Sequence, residues 1–171
     1  IFEDSVTISP EGEILVEGDY LHKGHFVGGE LIPRDKVFAT GDKGEFTADG
    51  SLVIRGRSKE IIFNDSGENV YPDEIESYFE GLPSVATLSV IGRKEELYDV
   101  VALILFAEKA PGQEELMLLG ESIMKRNRTL PVYKQVREVY LSKVAPPLSA
   151  TMKVKRGKLK EMLENEPDNF L

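Results

Sequence analysis

Short apolar runs broken by turn residues read as strands within the first sixty positions, whereas beyond residue 72 helical and strand patterns take turns. Residues 1–9 carry no strong pattern. Residues 13–18 read as a strand after the Pro10-Glu11-Gly12 turn. Strands at 45–47 and 52–54 flank Ala48-Asp49-Gly50, since Asp-Gly between strands marks a hairpin. A β-rich run at 60–63 breaks at Asn64-Asp65-Ser66-Gly67, and a third short strand follows at 69–71. Pro72 suits the first turn of a helix, where Asp73, Glu74 and Glu76 complement its positive end. Ile75, Tyr78, Phe79 and Leu82 have the spacing of one buried face, closed by Gly81 and Pro83. Strands are expected at 85–92, 98–106 and 136–141, and a helix over 114–128 with Leu116, Leu119, Ile123 and Leu130 inward. Beyond residue 164 the tail is expected to fray. The whole reads as α+β: a small β-rich subdomain over 1–58, then a compact mixed α+β domain over 59–171.

Composition narrows the chemistry. At 171 residues the chain holds one ordinary domain, or a small one and a part of another. No apolar run reaches the roughly 18 residues of a membrane span, and no signal peptide opens the chain, so a cytoplasmic location is expected. The absence of cysteine excludes disulfides, thiolate metal sites and cysteine nucleophiles. His22 and His25 alone are too few for a histidine metal centre and read as solvated, so no metal ligand is assigned. A formal charge of −9 argues against nucleic-acid binding. Charge is uneven, however: Lys153, Lys155, Arg156, Lys158 and Lys160 crowd one segment.

Four stretches carry the candidate chemistry. The central one is 54–76, IRGRSKEIIFNDSGENVYPDEIE, a strand, a Gly-Arg-x-Lys connection, a tight Ser-Gly-Glu-Asn loop and a helix start. Upstream lie GEILVEGDYLHKGHF and KVFATGDKGEFTADGSLVIRGR, and downstream LPVYKQVREVYLSKVAPPLSATMKVKRGKL. On residue chemistry alone Asp42 is a turn residue and Lys153 a solvated lysine in a basic run.

Taken together, in this order, the four stretches resemble the AMP-forming adenylating enzymes: acyl-CoA synthetases, peptide-synthetase adenylation domains and luciferases. The acyl-CoA synthetase variety is nearest, with its GGENVYPxEIE run. The resemblance implies that Lys59 is the hinge between a large N-terminal domain and a small mobile C-terminal one. It implies that Asp42 accepts hydrogen bonds from both ribose hydroxyls of the adenylate, a task suited to an acceptor-only carboxylate. Arg57 then stands near that ribose and the phosphate, and Lys153 is the lysine of the adenylation step. Ser66, Gly67, Glu68 and Asn69 line the channel for the pantetheine thiol. Two departures stand out: Met152 replaces the usual glycine before the lysine, and Ser66 replaces the usual Gly or Lys before Gly67.

The implied reaction has two steps. A carboxylate attacks the α-phosphate of Mg-ATP, giving acyl-AMP and pyrophosphate; after domain rotation a thiol, usually that of CoA, takes the acyl group and releases AMP. No phosphate loop and no YGxTE-like block is found, so a C-terminal fragment is expected, inactive alone and holding no tightly bound ATP, Mg2+ or CoA. Its expected partners are the missing N-terminal domain and CoA, with peripheral membrane contact through a lipid substrate. Alternatives are delivery to a carrier protein's phosphopantetheine, and a noncatalytic module that keeps only the fold. The basic patch around 155–160 fits either CoA phosphates or an acidic carrier.

Overall fold

A computed structural model of the protein describes residues 5–171. The chain divides into two compact units, one ending at Lys59 and the other spanning Glu60–Leu171. The division falls one residue beyond the 58/59 boundary expected from sequence.

The first unit is built of strands: β1 (Val6–Ile8), β2 (Glu13–Glu17), β3 (Gly24–Val27), β4 (Glu30–Pro33), β5 (Val37–Phe46) and β6 (Leu52–Arg57). An antiparallel sheet has the order β1-β2-β5-β6, while β3 and β4 form a separate hairpin. β1 was not expected from the weak pattern of residues 1–9, of which the first four lie outside the described residues; its pairing with β2 supplies the order. β5 continues through Thr40-Gly41-Asp42, which sequence reading put ahead of a strand, with an irregularity in its register against β2 there. Thr40 Oγ1 donates to the Ile14 carbonyl at 2.8 Å, and the Gly41 N–H donates to Glu13 Oε1 at 2.9 Å. These cross-strand bonds carry the ladder past the glycine. Gly44 marks a register shift, and a Cβ there would lie 2.7 Å from both Ile14 Cδ1 and the Val53 carbonyl oxygen. His22 packs edge-on against the Phe38 ring, centroids 5.3 Å apart.

The second unit contains β7 (Ile62–Phe63), β8 (Asn69–Val70), α1 (Pro72–Phe79), β9 (Thr87–Lys94), β10 (Asp99–Phe106), α2 (Gln113–Asn127), β11 (Glu138–Ser142) and α3 (Arg156–Asn165). β10 lies centrally, antiparallel to β9 and parallel to β11. Its alternate residues serve two cores. Val101, Leu103 and Leu105 pack with Ile75, Phe79, Leu119 and Ile123. Ala102, Ile104 and Phe106 pack with Leu159, Leu163 and Phe170. A strand covered on both faces must be apolar at every position, which is why 100–106 is a continuous apolar run. Each fully buried Leu, Ile or Phe contributes about 1.5–3 kcal/mol of burial.

Three expectations need correction here. Tyr78, expected inward, is exposed and hydrogen-bonds Thr129, because α1 ends at Phe79 and its buried stripe is only Pro72, Ile75 and Phe79. Leu116, expected inward, is also exposed, leaving Leu119 and Ile123 as the buried residues of α2. The tail does not fray. After a 3-10 turn at Pro167–Asn169, Leu171 and Leu141 exchange two backbone hydrogen bonds of 3.0 Å, and Phe170 is buried.

One ion pair spans the sheet. Arg93 on β9 reaches past β10 to Glu138 on β11, Nη2 to Oε1 at 2.6 Å. That contact holds the Glu138 carboxyl below the usual carboxylate range. Among the described residues no helix is long and apolar enough to cross a membrane.

Candidate functional site

In the first unit, antiparallel register sets Asp42 opposite Arg57. Arg57 Nε lies 2.8 Å from Asp42 Oδ1, and the Asp42 N–H donates to Thr40 Oγ1 at 3.1 Å. The two residues that sequence linked to a nucleotide are therefore side by side on neighbouring strands. The arginine is the more exposed of the pair, with 61% of its side chain accessible against 27% for Asp42. A permanently charged fork on the outside and a carboxylate behind it can grip a ligand bearing both hydroxyls and phosphate.

Lys59 is exposed and lies in a 3-10 turn, Ser58–Glu60, at the point where the chain passes from one compact unit to the next.

In the second unit the loop between β7 and β8 is organised by Asn64, a residue that sequence reading treated only as a break. Its Oδ1 accepts the N–H groups of Ser66 at 3.1 Å and Glu68 at 3.2 Å. Its Nδ2 donates to the Tyr133 carbonyl at 2.7 Å. Asp65 pairs with Arg137 at 3.0 Å. Gly67 has φ +74°, the left-handed region that glycine enters without penalty. Ser66, Gly67, Glu68 and Asn69 are thereby exposed on a loop of fixed shape. The Asn-Asp-Ser-Gly run held the signal, since asparagine characteristically bonds backbone two residues on.

Lys153 stands on a narrow hairpin-like turn. Leu148 and Val154 bridge in antiparallel fashion. The Ser149 N–H donates to the Lys153 carbonyl at 2.8 Å, and the Lys153 N–H returns to Ser149 Oγ at 3.1 Å. Met152 occupies φ +62° and is 73% exposed. The departure from glycine thus falls at a left-handed position, where a Cβ costs about 1–2 kcal/mol. Lys153 itself is exposed.

The expected basic patch around 155–160 is smaller than the sequence implies. Lys155 and Lys158 are exposed, but Arg156 turns inward with 13% of its side chain accessible. It meets Glu60 and Asp73, and grips Glu76 with two nitrogens, Nε to Oε1 at 3.0 Å and Nη2 to Oε2 at 2.6 Å. Burial opposes its charge, but the bonds to Glu76 and Asp73 prevail and hold the guanidinium above its ordinary pKa. Glu76 Oε1 also accepts from Ser89 Oγ at 3.0 Å and from the Val90 N–H at 2.8 Å. Glu74 pairs with Lys134 at 2.5 Å. The acidic residues read as partners of the α1 dipole are thus also bound to specific side chains. Arg156 is unavailable to a phosphate or an acidic carrier.

The candidate residues therefore fall in separate places: an Asp–Arg pair in the first unit, a lysine at the junction, and a glycine-bearing loop and a lysine-bearing turn in the second. No protein-family model matches the chain. Among curated proteins it is 30% identical over 167 residues to the 2-succinylbenzoate–CoA ligase of Listeria monocytogenes, which spans 94% of this chain and 34% of the relative. It is 38% identical over 110 residues to the long-chain-fatty-acid–CoA ligase FadD13 of Mycobacterium tuberculosis, covering 61% of this chain and 22% of that one. Among solved structures, the O-succinylbenzoate coenzyme A synthetase of Bacillus subtilis, in complex with ATP and magnesium ion, superposes with a TM-score of 0.71 at 27% identity, covering 94% of this chain and 34% of that one. The chain belongs to the AMP-forming adenylating enzymes, in their acyl- and aryl-CoA ligase branch. It spans about a third of the length of the curated relatives that it matches most fully.

Proposed function

We propose that the chain is the C-terminal part of an ATP-dependent, AMP-forming carboxylate–CoA ligase. Its 1–59 unit completes the nucleotide site, and its 60–171 unit serves the two half-reactions in turn. Relationship to CoA ligases over 94% of the chain is the observation that carries the reading. ATP, magnesium and CoA are then the small molecules of the whole enzyme, and magnesium arrives with ATP, since no residue here is assigned to it.

In this reading Asp42 receives the ribose hydroxyls through the carboxylate oxygen that Arg57 does not occupy, and Arg57 swings its exposed fork toward phosphate. Lys153 brings a compact positive charge to the substrate carboxylate and the α-phosphate, where negative charge builds as the acyl–oxygen–phosphorus bond forms. For the second step the 66–69 loop lines the path of the thiol, Gly67 leaving room for a narrow chain. Rotation about Lys59 exchanges one loop for the other, so the lysine is withdrawn when the thiol enters.

Two carboxylate classes compete. The higher identity is to a fatty-acyl ligase and the longer alignment to an aryl one; we put the long-chain fatty acid first. A cytoplasmic setting, with peripheral membrane contact during uptake of a lipid substrate, belongs to the same proposal. The test is a full-length enzyme given ATP, a panel of fatty and aryl carboxylates, and either CoA or a pantetheinylated carrier protein. Pyrophosphate release followed by CoA thioester formation is expected. Release of no pyrophosphate with any carboxylate would favour a noncatalytic module, and transfer only to the carrier protein would reassign the acceptor. The 171-residue chain alone is expected to make no acyl-AMP.

A further inference from the structure

The Arg156 cluster does more than fasten a helix, and what it joins is specific. Between Lys153 and Arg156 the chain has no slack: Leu148 bridges Val154, and the Lys155 N–H donates to the Pro147 carbonyl at 2.7 Å. Immediately after, the Leu159 N–H bonds the Lys155 carbonyl at 2.9 Å, so α3 begins where the turn ends. A displacement of Arg156 is therefore passed to Lys153 through a hydrogen-bonded segment. On its other side Arg156 holds Glu60, the residue directly after the junction lysine, together with Asp73 and Glu76 on α1. Glu76 is itself fixed to β9 through the Val90 N–H. One planar fork thus reaches three carboxylates on two elements, a geometry that a single ammonium cannot reproduce.

We propose that Arg156 is the positioning residue for Lys153, seating the base of the lysine turn on the carboxylates of Glu60, Asp73 and Glu76. By the same contact it binds Glu60 into the second unit and limits the pivot to Lys59. The cluster also explains how a turn with a methionine at a left-handed position keeps its shape: the base is fastened even though the tip is strained. This inference rests on the proposed role of Lys153 in adenylation.

The experiment is a double-mutant cycle in the full-length enzyme, with acyl-AMP formation and thiol transfer from supplied acyl-AMP measured separately in single turnover. Lys153→Ala, Arg156→Lys and their combination are the variants. Arg156→Lys keeps the charge and loses the fork. It is expected to slow acyl-AMP formation by about tenfold to a hundredfold, as small misplacements do, and to leave thiol transfer within about twofold. In the Lys153→Ala background the same change should add less than about twofold, because coupled residues are not additive. Full additivity, or a parallel loss of both half-reactions that tracks the folded fraction, makes Arg156 merely structural and overturns the proposal while leaving Lys153 in its role. No effect of Lys153→Ala on acyl-AMP formation overturns both readings. Should Arg156→Lys fail to fold, Glu60→Gln runs through the same cycle, since it removes one of the three carboxylates and keeps the arginine on the other two.

Discussion

The 64–69 loop and the 148–154 turn solve one problem in two ways. Each presents candidate residues to solvent, each contains one left-handed residue, and each uses one polar side chain as an internal brace. Asn64 braces the first and Ser149 the second. The first puts glycine at the left-handed position, at φ +74°; the second puts methionine there, at φ +62°. Their fastenings differ accordingly. The glycine loop is tied near its tip, through Asn64 to Tyr133 and Asp65 to Arg137. The methionine turn is tied at its base, through Arg156. Backbone strain is tolerated where the surrounding contacts over-determine the conformation, and here those contacts come from residues distant in sequence.

The largest effect should separate the two loops outright. Lys153→Ala in the full-length enzyme is expected to slow acyl-AMP formation by about 10²–10³-fold, the usual cost of one preorganised donor, and to spare thiol transfer. Lys155→Ala and Lys158→Ala serve as controls, and similar small losses from all three lysines would dissolve the distinction. Lys59→Pro comes next. It fixes φ near −65° and disfavours the helical conformation at Ser58, so one half-reaction should fall by about a hundredfold while the other survives. Equal loss of both in single-turnover assays would remove the hinge from this residue.

Asn64→Ala should act on the glycine loop alone. Two loop N–H groups lose their acceptor, at about 1 kcal/mol each. Thiol transfer should slow by about tenfold, with acyl-AMP formation unchanged; a drop in adenylation instead would exchange the roles of the loops. Met152→Gly is the smallest and most pointed change. Relief of a left-handed Cβ is worth about 1–2 kcal/mol, against about 0.5–1 kcal/mol of added chain entropy. A net stabilisation of about 0.5–1 kcal/mol is expected in urea unfolding of the 171-residue chain, and destabilisation would show that the methionine makes contacts worth more than its strain.

Much of this was legible in the sequence. The strand readings at 13–18 and 52–54, the apolar run of β10 and the helical spacing of Ile75, Phe79 and Leu82, from which only Tyr78 departs, each indicate an element, because side-chain period is a local property. Pro72 opens its helix and Gly67 its turn for reasons held within the residue itself. The order of the four stretches was enough to indicate the family.

The rest required distant partners. Nothing local says that Thr40-Gly41-Asp42 continues a strand; the carboxylate of Glu13 and the carbonyl of Ile14 decide it. Nor does a basic run reveal which of its members turns inward. Arg156 turns inward and Lys155 stays exposed because α1 brings Asp73 and Glu76 beneath one and not the other. The tail after residue 164 is polar enough to fray, yet Leu141 offers it two backbone bonds and its Phe170 enters the core beside Ile104 and Leu159. Periodicity and turn chemistry are written residue by residue, whereas charge pairing, edge bonding and the burial of a lone aromatic are decided only once the chain has folded back on itself.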